Sequence, residues 1–266
     1  MKQLFILFLA VLLLVAACGC TAQTPFSTGT PATRTTIASP GNPVVYNQDD
    51  LDNVQAGSAE YSLILGGDSI TSEGSGISID GTTATITSAG TYRISGTLDN
   101  GQILVSAGDD AKVKLILDRA SIKNDSGAPV SVISAGKTII SLAEGTDNSV
   151  TDGKSYVSDE AGTDEPDAAI FSKDDLTING NGSLTVTAQY NHGIAGKNDL
   201  KITGGHITVT APGDGIRGKD TVAIKDGTIT INAGGDGIQS GNDKDPEKGA
   251  VIIEGGSLTI AAGGDG

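Results

Sequence analysis

The sequence predicts an all-β protein, a parallel β-helix whose rungs are about 22 residues long. Residues 191–194 (NHGI), 213–216 (GDGI) and 235–238 (GDGI) follow one another at a step of 22 residues. A fixed period of this length is typical of a solenoid. Within each repeat, Ile, Val or Leu alternates with Thr over short runs, which is strand patterning, and Gly, Asn and Asp between the runs favour tight turns.

Two strand-like runs recur in each repeat, and their spacing fits stacked rungs about 4.8 Å apart. The first run is 176–178, 200–202, 222–224 and 251–253, and the second is 184–186, 207–209, 229–231 and 258–260. The pattern lacks the Leu and Asn signature of a leucine-rich repeat and the nine-residue period of a calcium-binding roll. A parallel β-helix is the solenoid that remains.

The two ends of the repeat region are expected to differ. Residues 90–96, 103–105 and 113–117 are strand-like but less regular, as expected of first rungs that cover the apolar stack. The chain stops at Gly266, in the middle of a rung. We therefore expect either a fragment of a longer protein or an end that another chain covers.

The N-terminal segment predicts export. Residues 4–17 form an apolar run that suits a signal peptide and is too short to span a bilayer, and residues 15–18 (VAAC) resemble a lipobox with Cys18 as the lipidated residue. Cys20 is a second candidate, and a plain secretory signal is the alternative. The predicted organisation is a signal peptide (1–20), a Thr/Ser/Pro-rich tether (21–55) and a β-helix (56–266), secreted or lipid-anchored at the cell surface.

Composition limits the partners. The formal net charge of −15 disfavours nucleic acid, which needs a basic face, and suits divalent cations and an extracellular setting. The chain has no Trp and is 3% aromatic, so a row of exposed rings for flat crystalline polysaccharide is not expected. We expect a monomer that touches membrane only through its lipid anchor.

The residue between the glycines forms a ladder when rungs stack. Its members are Ala168, His192, Asp214, Asp236 and Asp265. Two carboxylates about 4.8 Å apart repel by about 3–4 kcal/mol at an effective dielectric near 20. Water and salt, a lysine or a bound cation would offset this repulsion; alternatively, each Asp caps backbone N–H groups of its turn.

Calcium is the cation that this ladder favours. It takes six to eight oxygen ligands, and Asp214, Asp236 and Asp265 supply stacked carboxylates. A seven-residue insert, 241–247, adds Asp243 and Asp245 just after the Asp236 turn. Magnesium demands stricter geometry, and zinc is disfavoured because the domain has no Cys.

A second ladder is cationic. Lys173, Lys197, Lys219 and Lys248 each precede a strand by three residues. They either balance neighbouring Asp residues or, with Arg217, bind the carboxylates of uronate sugars. Tyr190, beside the His192 position, is the candidate for stacking on a sugar ring, although a core or edge role would suit it equally.

The order of motifs along the chain resembles a bacterial and archaeal family of secreted carbohydrate-binding domains. The residues that carry the likeness are 141–148 (SLAEGTDN), 152–153 (DG), 167–170 (DAAI), 173–178 (KDDLTI) and the GDGI rungs. The resemblance covers residues 61–266 and implies a right-handed, pectate-lyase-like β-helix that binds calcium and plant-type or acidic polysaccharide without cleaving it. His192 departs from the family pattern, where Asp or Asn-Asp is usual.

Three functions follow as hypotheses. The first is non-catalytic binding of acidic polysaccharide. The second is a pectate-lyase-like enzyme with Lys219, Arg217 and Asp236, disfavoured because periodic lysines on short turns build no cleft. A glycosidase carboxylate pair has no positive support. The third is a structural or adhesive stalk without a glycan site.

Overall fold

The computed structural model describes residues 44–52, 60–157, 166–242, 244–245 and 247–266. The expected signal peptide, Cys18, most of the tether and Asp243 lie outside these residues. In the part that is described, no helix is long and apolar enough to cross a membrane.

As the sequence predicts, the protein is a parallel β-solenoid, and the structure shows about seven turns. Its one described helix is α1 (Gln48–Leu51). The strands are β1 (Tyr61–Gly67), β2 (Ile70–Glu73), β3 (Ile77–Asp80), β4 (Thr83–Ile86), β5 (Gly90–Leu98), β6 (Gln102–Asn124), β7 (Val130–Leu142), β8 (Asp147–Asp152), β9 (Ala168–Ser172), β10 (Leu176–Gly180), β11 (Ser183–Thr187), β12 (His192–Gly196), β13 (Asp199–Ile202), β14 (His206–Ala211), β15 (Ile216–Gly218), β16 (Thr221–Ile224), β17 (Thr228–Ala233), β18 (Ile238–Ser240), β19 (Ala250–Ile253) and β20 (Ser257–Ala262).

Parallel pairing between turns builds three walls, which we number as sheets. Sheet 1 contains β4, the first parts of β6 and β7, β9, β12, β15 and β18. Sheet 2 contains β1, β5, the middle of β6, the end of β7, β10, β13, β16 and β19. Sheet 3 contains the end of β6, β8, β11, β14, β17 and β20.

Stacked aliphatic side chains fill the interior. In sheet 1, Ile170, Ile194, Ile216 and Ile238 pair in register and are buried. The predicted runs form matching ladders in sheets 2 and 3, for example Leu176, Leu200 and Val222. Because alternate residues point inward, the residues between them form the outer faces on which any ligand must bind.

The N-terminal turns are irregular, as expected of a cap. β1 pairs antiparallel with β2, and β3 pairs antiparallel with β4, whereas the later turns pair in parallel. The predicted early rungs at 90–96, 103–105 and 113–117 lie in β5 and β6, whose pairings contain register shifts. The hairpins therefore close one end of the apolar stack.

Residues 44–52 differ from the extended tether expected through residue 55. They contain α1 and pack against the outer face of sheet 2, where Asp50 is fully buried. The side chains of Lys137 and Thr177 both contact the Asp50 carboxylate. We call this segment the strap.

Candidate functional site

The Asp ladder is held together by backbone hydrogen bonds. The N–H of Asp236 donates to Oδ1 of Asp214 at 2.9 Å, and the N–H of Asp265 donates to Oδ1 of Asp236 at 2.9 Å. At the preceding turn, the N–H of Asp214 donates to Nδ1 of His192 at 2.9 Å. Each acceptor side chain thus satisfies one N–H of the following turn, which is the capping role that the sequence left open.

His192 replaces a carboxylate at this position and forms a crowded polar cluster. Its Nε2 lies 2.9 Å from Nη1 of Arg217 and 3.8 Å from Oδ2 of Asp167, while Nδ1 lies 3.3 Å from Oδ2 of Asp214. His192 and Asp214 are buried, whereas Arg217 is exposed. The cluster therefore opens to solvent on the Arg217 side.

The cluster contains two donors that face each other. Because Nδ1 of His192 accepts from Asp214, the proton of a neutral ring lies on Nε2, where it faces the guanidinium of Arg217. In the opposite tautomer Nε2 accepts from Arg217, and Nδ1–H faces Oδ2 of Asp214 at 3.3 Å, but the N–H of Asp214 then loses its acceptor. In the tautomer that keeps the Asp214 contact, an incoming carboxylate or hydroxyl oxygen between Nε2–H and Arg217 would improve the network.

The charge state of His192 follows from its burial. Burial lowers the pKa of His192 below 6.5, and the carboxylates of Asp167 and Asp214 oppose this shift only in part. The ring is therefore neutral at pH 7. Among the described residues, Oδ1 of Asp167 is buried without a hydrogen-bond partner, and Oδ2 of the same carboxylate is the oxygen that lies near Nε2 of His192.

An aromatic platform lies next to this cluster. Tyr190 is 45% exposed and stacks on Tyr156, with 4.4 Å between ring centroids. Tyr156 packs on a small apolar cluster outside the main core, made of Ala128, Ala168, Phe171 and Ala195. Nζ of Lys197 lies 5.5 Å from the centre of the Phe171 ring. A ring face and an ammonium group thus lie on one outer face, as in many sugar sites.

A buried carboxylate holds the platform in place. Asp152 is fully buried, accepts from the hydroxyl of Tyr156 at 2.8 Å, and also accepts from the backbone N–H of Gln189. Burial raises the pKa of Asp152 above 3.8, although these donors counteract the shift. Through Tyr156 and Gln189, Asp152 fixes the positions on which Tyr190 depends.

Arg217 occupies the outer row of sheet 1. It pairs in register with Ala195 on one side and Gln239 on the other, and Ala195 pairs with Phe171. Ala195 is buried in the small apolar cluster on which Tyr156 packs, so Arg217 lies one turn beyond the platform. We use the term sheet 1 site for Tyr190, Lys197, Arg217, His192 and Asp167.

Of the four residues of the lysine ladder, only Lys197 belongs to the sheet 1 site. The N–H groups of Lys197 and Lys219 bond to the preceding turn at equivalent positions, but the next N–H in that row belongs to Gly241. Lys248 returns at the end of the insert, where its Nζ donates to Asp220 at 2.6 Å. Lys219 is exposed, and Lys248 balances a carboxylate.

The candidate calcium ligands are not gathered into one cluster. Nowhere in residues 44–52, 60–157, 166–242, 244–245 and 247–266 do three or more Asp, Glu, His or Cys side chains converge in a way that would hold a metal. Oδ2 of Asp236 accepts from Gln239 at 2.8 Å, and Oδ1 of Asp245 accepts from the N–H of Glu247 at 3.0 Å. Asp214 faces His192 and Arg217, so its carboxylate is already engaged within the ladder.

Sequence reasoning assigned no site role to Asp152, Tyr156, Asp167 or His192. Asp152, Tyr156 and Asp167 lie outside the 22-residue period, so no repeat signal marked them. His192 was noticed only as a departure from the ladder, yet it links Asp214 to Arg217. An ionisable residue that interrupts a regular ladder was the one signal that could have found it.

The fold and this polar and aromatic face define a β-solenoid of the polysaccharide-recognising class. Residues 80–266 match the family model described as carbohydrate-binding domain-containing protein. The chain therefore belongs to that family.

Two similar proteins agree with this assignment. A carbohydrate-binding domain-containing protein of Acetivibrio thermocellus is 42% identical over 159 residues, which cover 59% of this chain and 56% of that protein. The match thus spans about half of that relative. A solved structure of a polysaccharide lyase-like protein from C. thermocellum, a gadolinium derivative, is 43% identical with a TM-score of 0.74, covering 76% of this chain and 82% of the other.

Proposed function

We propose that this protein binds acidic, uronate-containing polysaccharide at the sheet 1 site and does not cleave it. The 2.9 Å approach of Nη1 of Arg217 to Nε2 of His192 carries the proposal, because in the tautomer whose Nδ1 accepts from Asp214 both groups are donors, and a sugar carboxylate placed between them would accept from both. Arg217 provides the planar fork that suits a carboxylate.

The neighbouring groups explain how a sugar would be oriented. The exposed face of Tyr190 offers a surface for the C–H groups of a sugar ring, and Lys197 supplies a second cation beside it. The Asp167 side chain is partly exposed, and its Oδ2, 3.8 Å from Nε2 of His192, offers an acceptor for a sugar hydroxyl. Binding by these groups needs no deep pocket, which is consistent with an open outer face of a solenoid and with the family to which the chain belongs.

Calcium enters the proposal at the other end of the Asp ladder. Asp265 follows Asp236 in the ladder, so a calcium ion bound by both would bridge these carboxylates to those of the glycan. The relative from C. thermocellum was solved with gadolinium, which, like calcium, is a hard cation that takes oxygen ligands. Calcium would neutralise charge between an acidic chain and an acidic ligand.

The binding proposal is tested by calorimetry on the full chain. Oligogalacturonate is titrated into wild type and into Tyr190→Ala, Arg217→Ala and Lys197→Ala, in calcium and in chelator, with a neutral xylo-oligosaccharide for comparison. We expect Arg217→Ala to weaken oligogalacturonate binding about tenfold or more, since a charged hydrogen bond contributes about 1.5–3 kcal/mol. Lys123→Ala is the control, because its exposed ion pair with Asp125 lies on sheet 3.

The result that would overturn the proposal is equal affinity of Arg217→Ala, Tyr190→Ala and wild type. Equal affinity for neutral and acidic ligands would overturn the acidic preference alone.

Lyase activity is the second candidate, because the structural relative is described as polysaccharide lyase-like. Such an enzyme abstracts a proton beside the uronate carboxyl group with a Lys or Arg base, and Arg217 lies in the sheet 1 site. Incubation with polygalacturonate would then produce the ultraviolet absorbance of an unsaturated product. We expect no such absorbance, with or without calcium.

A further inference from the structure

The strap and the outer face of sheet 2 form a second polar contact region, on a different wall of the solenoid from the sheet 1 site. The Asp50 side chain is fully buried, although it belongs to a helix of four residues. A helix this short is not stable alone, so the solenoid side chains hold the strap in place.

The contacts of Asp50 are those of a built carboxylate site. Its Oδ1 accepts from Nζ of Lys137 and from the hydroxyl of Thr177, the latter at 2.6 Å. Its Oδ2 lies 4.0 Å from Nζ of Lys201 and accepts the N–H of Asn47 at 3.0 Å. Three of these four partners belong to the solenoid and come from β7, β10 and β13.

Neutral donors surround the same position. Nδ2 of Asn179 donates to the carbonyls of Asp49 and Asp50 at 3.1 and 3.3 Å, and the hydroxyl of Thr203 also donates to the carbonyl of Asp50. Two ammonium groups around one carboxylate, with amide and hydroxyl donors beside them, match the needs of a uronate and its neighbouring oxygens.

Cations extend this region along the solenoid. Lys112 pairs with Asp49, and Lys225 lies 4.6 Å from the ring centre of Tyr46. The strap therefore crosses the turns from β16 to β6, a distance of about 19 Å for four steps between strands. Carboxylates also face this region: Asp175 and Asp199 at one edge, and Glu254, which pairs with Lys225.

The solenoid residues of this contact lie on β7, β10 and β13, which pair with one another without any strap residue between them. Lys137 and Lys201 are only 12% and 13% exposed with the strap in place, but both project from the outer face of sheet 2 and would be hydrated without it. The strap supplies the carboxylate, and the solenoid supplies a surface that any similar carboxylate would fit.

We propose that Lys137, Thr177 and Lys201 form a second carboxylate-binding site for acidic glycan, which Asp50 of the strap occupies in the same chain. This proposal rests on the proposed function for its ligand class but uses different residues. Because the strap is attached, its effective concentration is high, and it limits access to the site. Displacing the strap exposes the site and adds a second point of attachment.

Four full-chain proteins test this proposal: wild type, Asp50→Asn, Asp50→Arg and Asp50→Arg/Lys137→Met. Hydrogen exchange of residues 44–52 reports whether the strap is docked, and calorimetry with oligogalacturonate reports binding. Asp50→Arg places a third cation beside Lys137 and Lys201, so it releases the strap even if Asp50→Asn does not. Each protein is also made with Arg217→Ala, which separates the two sites.

We expect Asp50→Arg to raise exchange in the strap and to raise oligogalacturonate affinity at least tenfold in the Arg217→Ala background. Adding Lys137→Met should remove that gain. A released strap with unchanged affinity would overturn the proposal, as would a gain that survives Lys137→Met. If a synthetic peptide of residues 44–52 binds to Asp50→Arg but oligogalacturonate does not, the site serves the strap alone and the glycan assignment is wrong.

Failure of the second-site proposal and failure of the proposed function at the sheet 1 site would give different results. Loss of wild-type binding by Arg217→Ala supports the sheet 1 site whatever the strap variants show.

Discussion

The backbone N–H of Asp236 donates a 2.9 Å hydrogen bond to Oδ1 of Asp214, which occupies the same position one turn earlier. Asp265 repeats this contact with Asp236. Stacked carboxylates are tolerated because Asp214 and Asp236 each face an N–H dipole from the next turn, which offsets part of the mutual repulsion. The Asp ladder therefore has a structural role, and any binding of a ligand would be additional to it.

Replacing Asp214 tests the capping role. Asp214→Ala removes the acceptor for the Asp236 N–H and should lower the free energy of unfolding by about 1.5–3 kcal/mol, while Asp214→Asn keeps an acceptor and should cost less. Chemical denaturation measures the difference, and hydrogen exchange at the Asp236 amide localises it. Glu144→Gln, an exposed turn substitution, is the control. Equal stability of the Ala and Asn variants would contradict a hydrogen-bonding role.

Calcium binding can be separated from capping with the same ladder. We expect calcium to raise the melting temperature and a chelator to lower it, because a ligand of the native state alone stabilises it. The combined variant Asp236→Asn/Asp265→Asn should lose this response. Asp214→Asn should keep it, because Asp214 already contacts His192 and the Asp236 N–H. A calcium shift that persists in the combined variant would place the ion elsewhere.

Glycan affinity should depend on pH through His192. Burial lowers the pKa of His192, so the free protein holds a neutral ring at pH 7. A bound uronate would favour the charged ring, so binding takes up a proton and affinity should rise as the pH falls from 7 to 5. His192→Gln cannot titrate and should show a flatter profile in calorimetry across this range. A slope unchanged by the substitution would assign the titration to another group.

The platform should depend on Asp152 although that residue cannot touch a ligand. Tyr156→Phe removes the hydroxyl that donates to Asp152 at 2.8 Å and leaves a buried carboxylate short of a donor. We expect a loss of about 1–3 kcal/mol in stability and weaker glycan binding, because Tyr190 stacks on Tyr156. Tyr61→Phe, in the remote N-terminal turns, is the matched control. Weaker binding without any loss of stability would point to direct contact between Tyr156 and the glycan.

Repetition made the fold predictable from the sequence. The runs that begin at Leu176, Leu200 and Val222 lie in register because the same alternation recurs at a constant step. The sequence did not show why the glycines recur in every turn. Gly215 does not adopt a positive φ; a Cβ there would clash with the Ile231 side chain and the Gly237 carbonyl. Positive φ is needed instead at corners such as Gly227, at 123°.

The strap and the platform could not be predicted because their contacts are remote in sequence. Asp50 bonds to Thr177, 127 residues later, and nothing in residues 44–52 carries a periodic pattern. Asp152 likewise lies 37 residues before its partner Gln189. Positions that recur at a constant step can be recognised in the sequence. Asp50 and Asp152 each occur once, and they acquire their roles only when the turns stack.

Acid should release the strap before the solenoid unfolds. Burial alone would raise the pKa of Asp50, but hydrogen bonds from Lys137, Thr177 and Asn47 outweigh it and hold the pKa below 3.8. The contribution of Asp50 is therefore fully present above pH 3.8 and is lost as the pH falls through the lower, folded value. Hydrogen exchange of residues 44–52 at pH 5 and pH 3, corrected for intrinsic rates, measures this loss.

Local exchange is the right readout for the strap because other carboxyls act in the opposite direction. Burial raises the pKa of Asp152 and of Asp175 above 3.8, so their protonation stabilises the fold as the pH falls. A global melting temperature would mix these effects, whereas exchange in β10 of the solenoid should remain slow at both pH values. Asp50→Asn should show a strap whose protection no longer depends on pH. If the wild-type strap is equally protected at pH 5 and pH 3, the Asp50 carboxylate is not what holds it to Lys137 and Thr177.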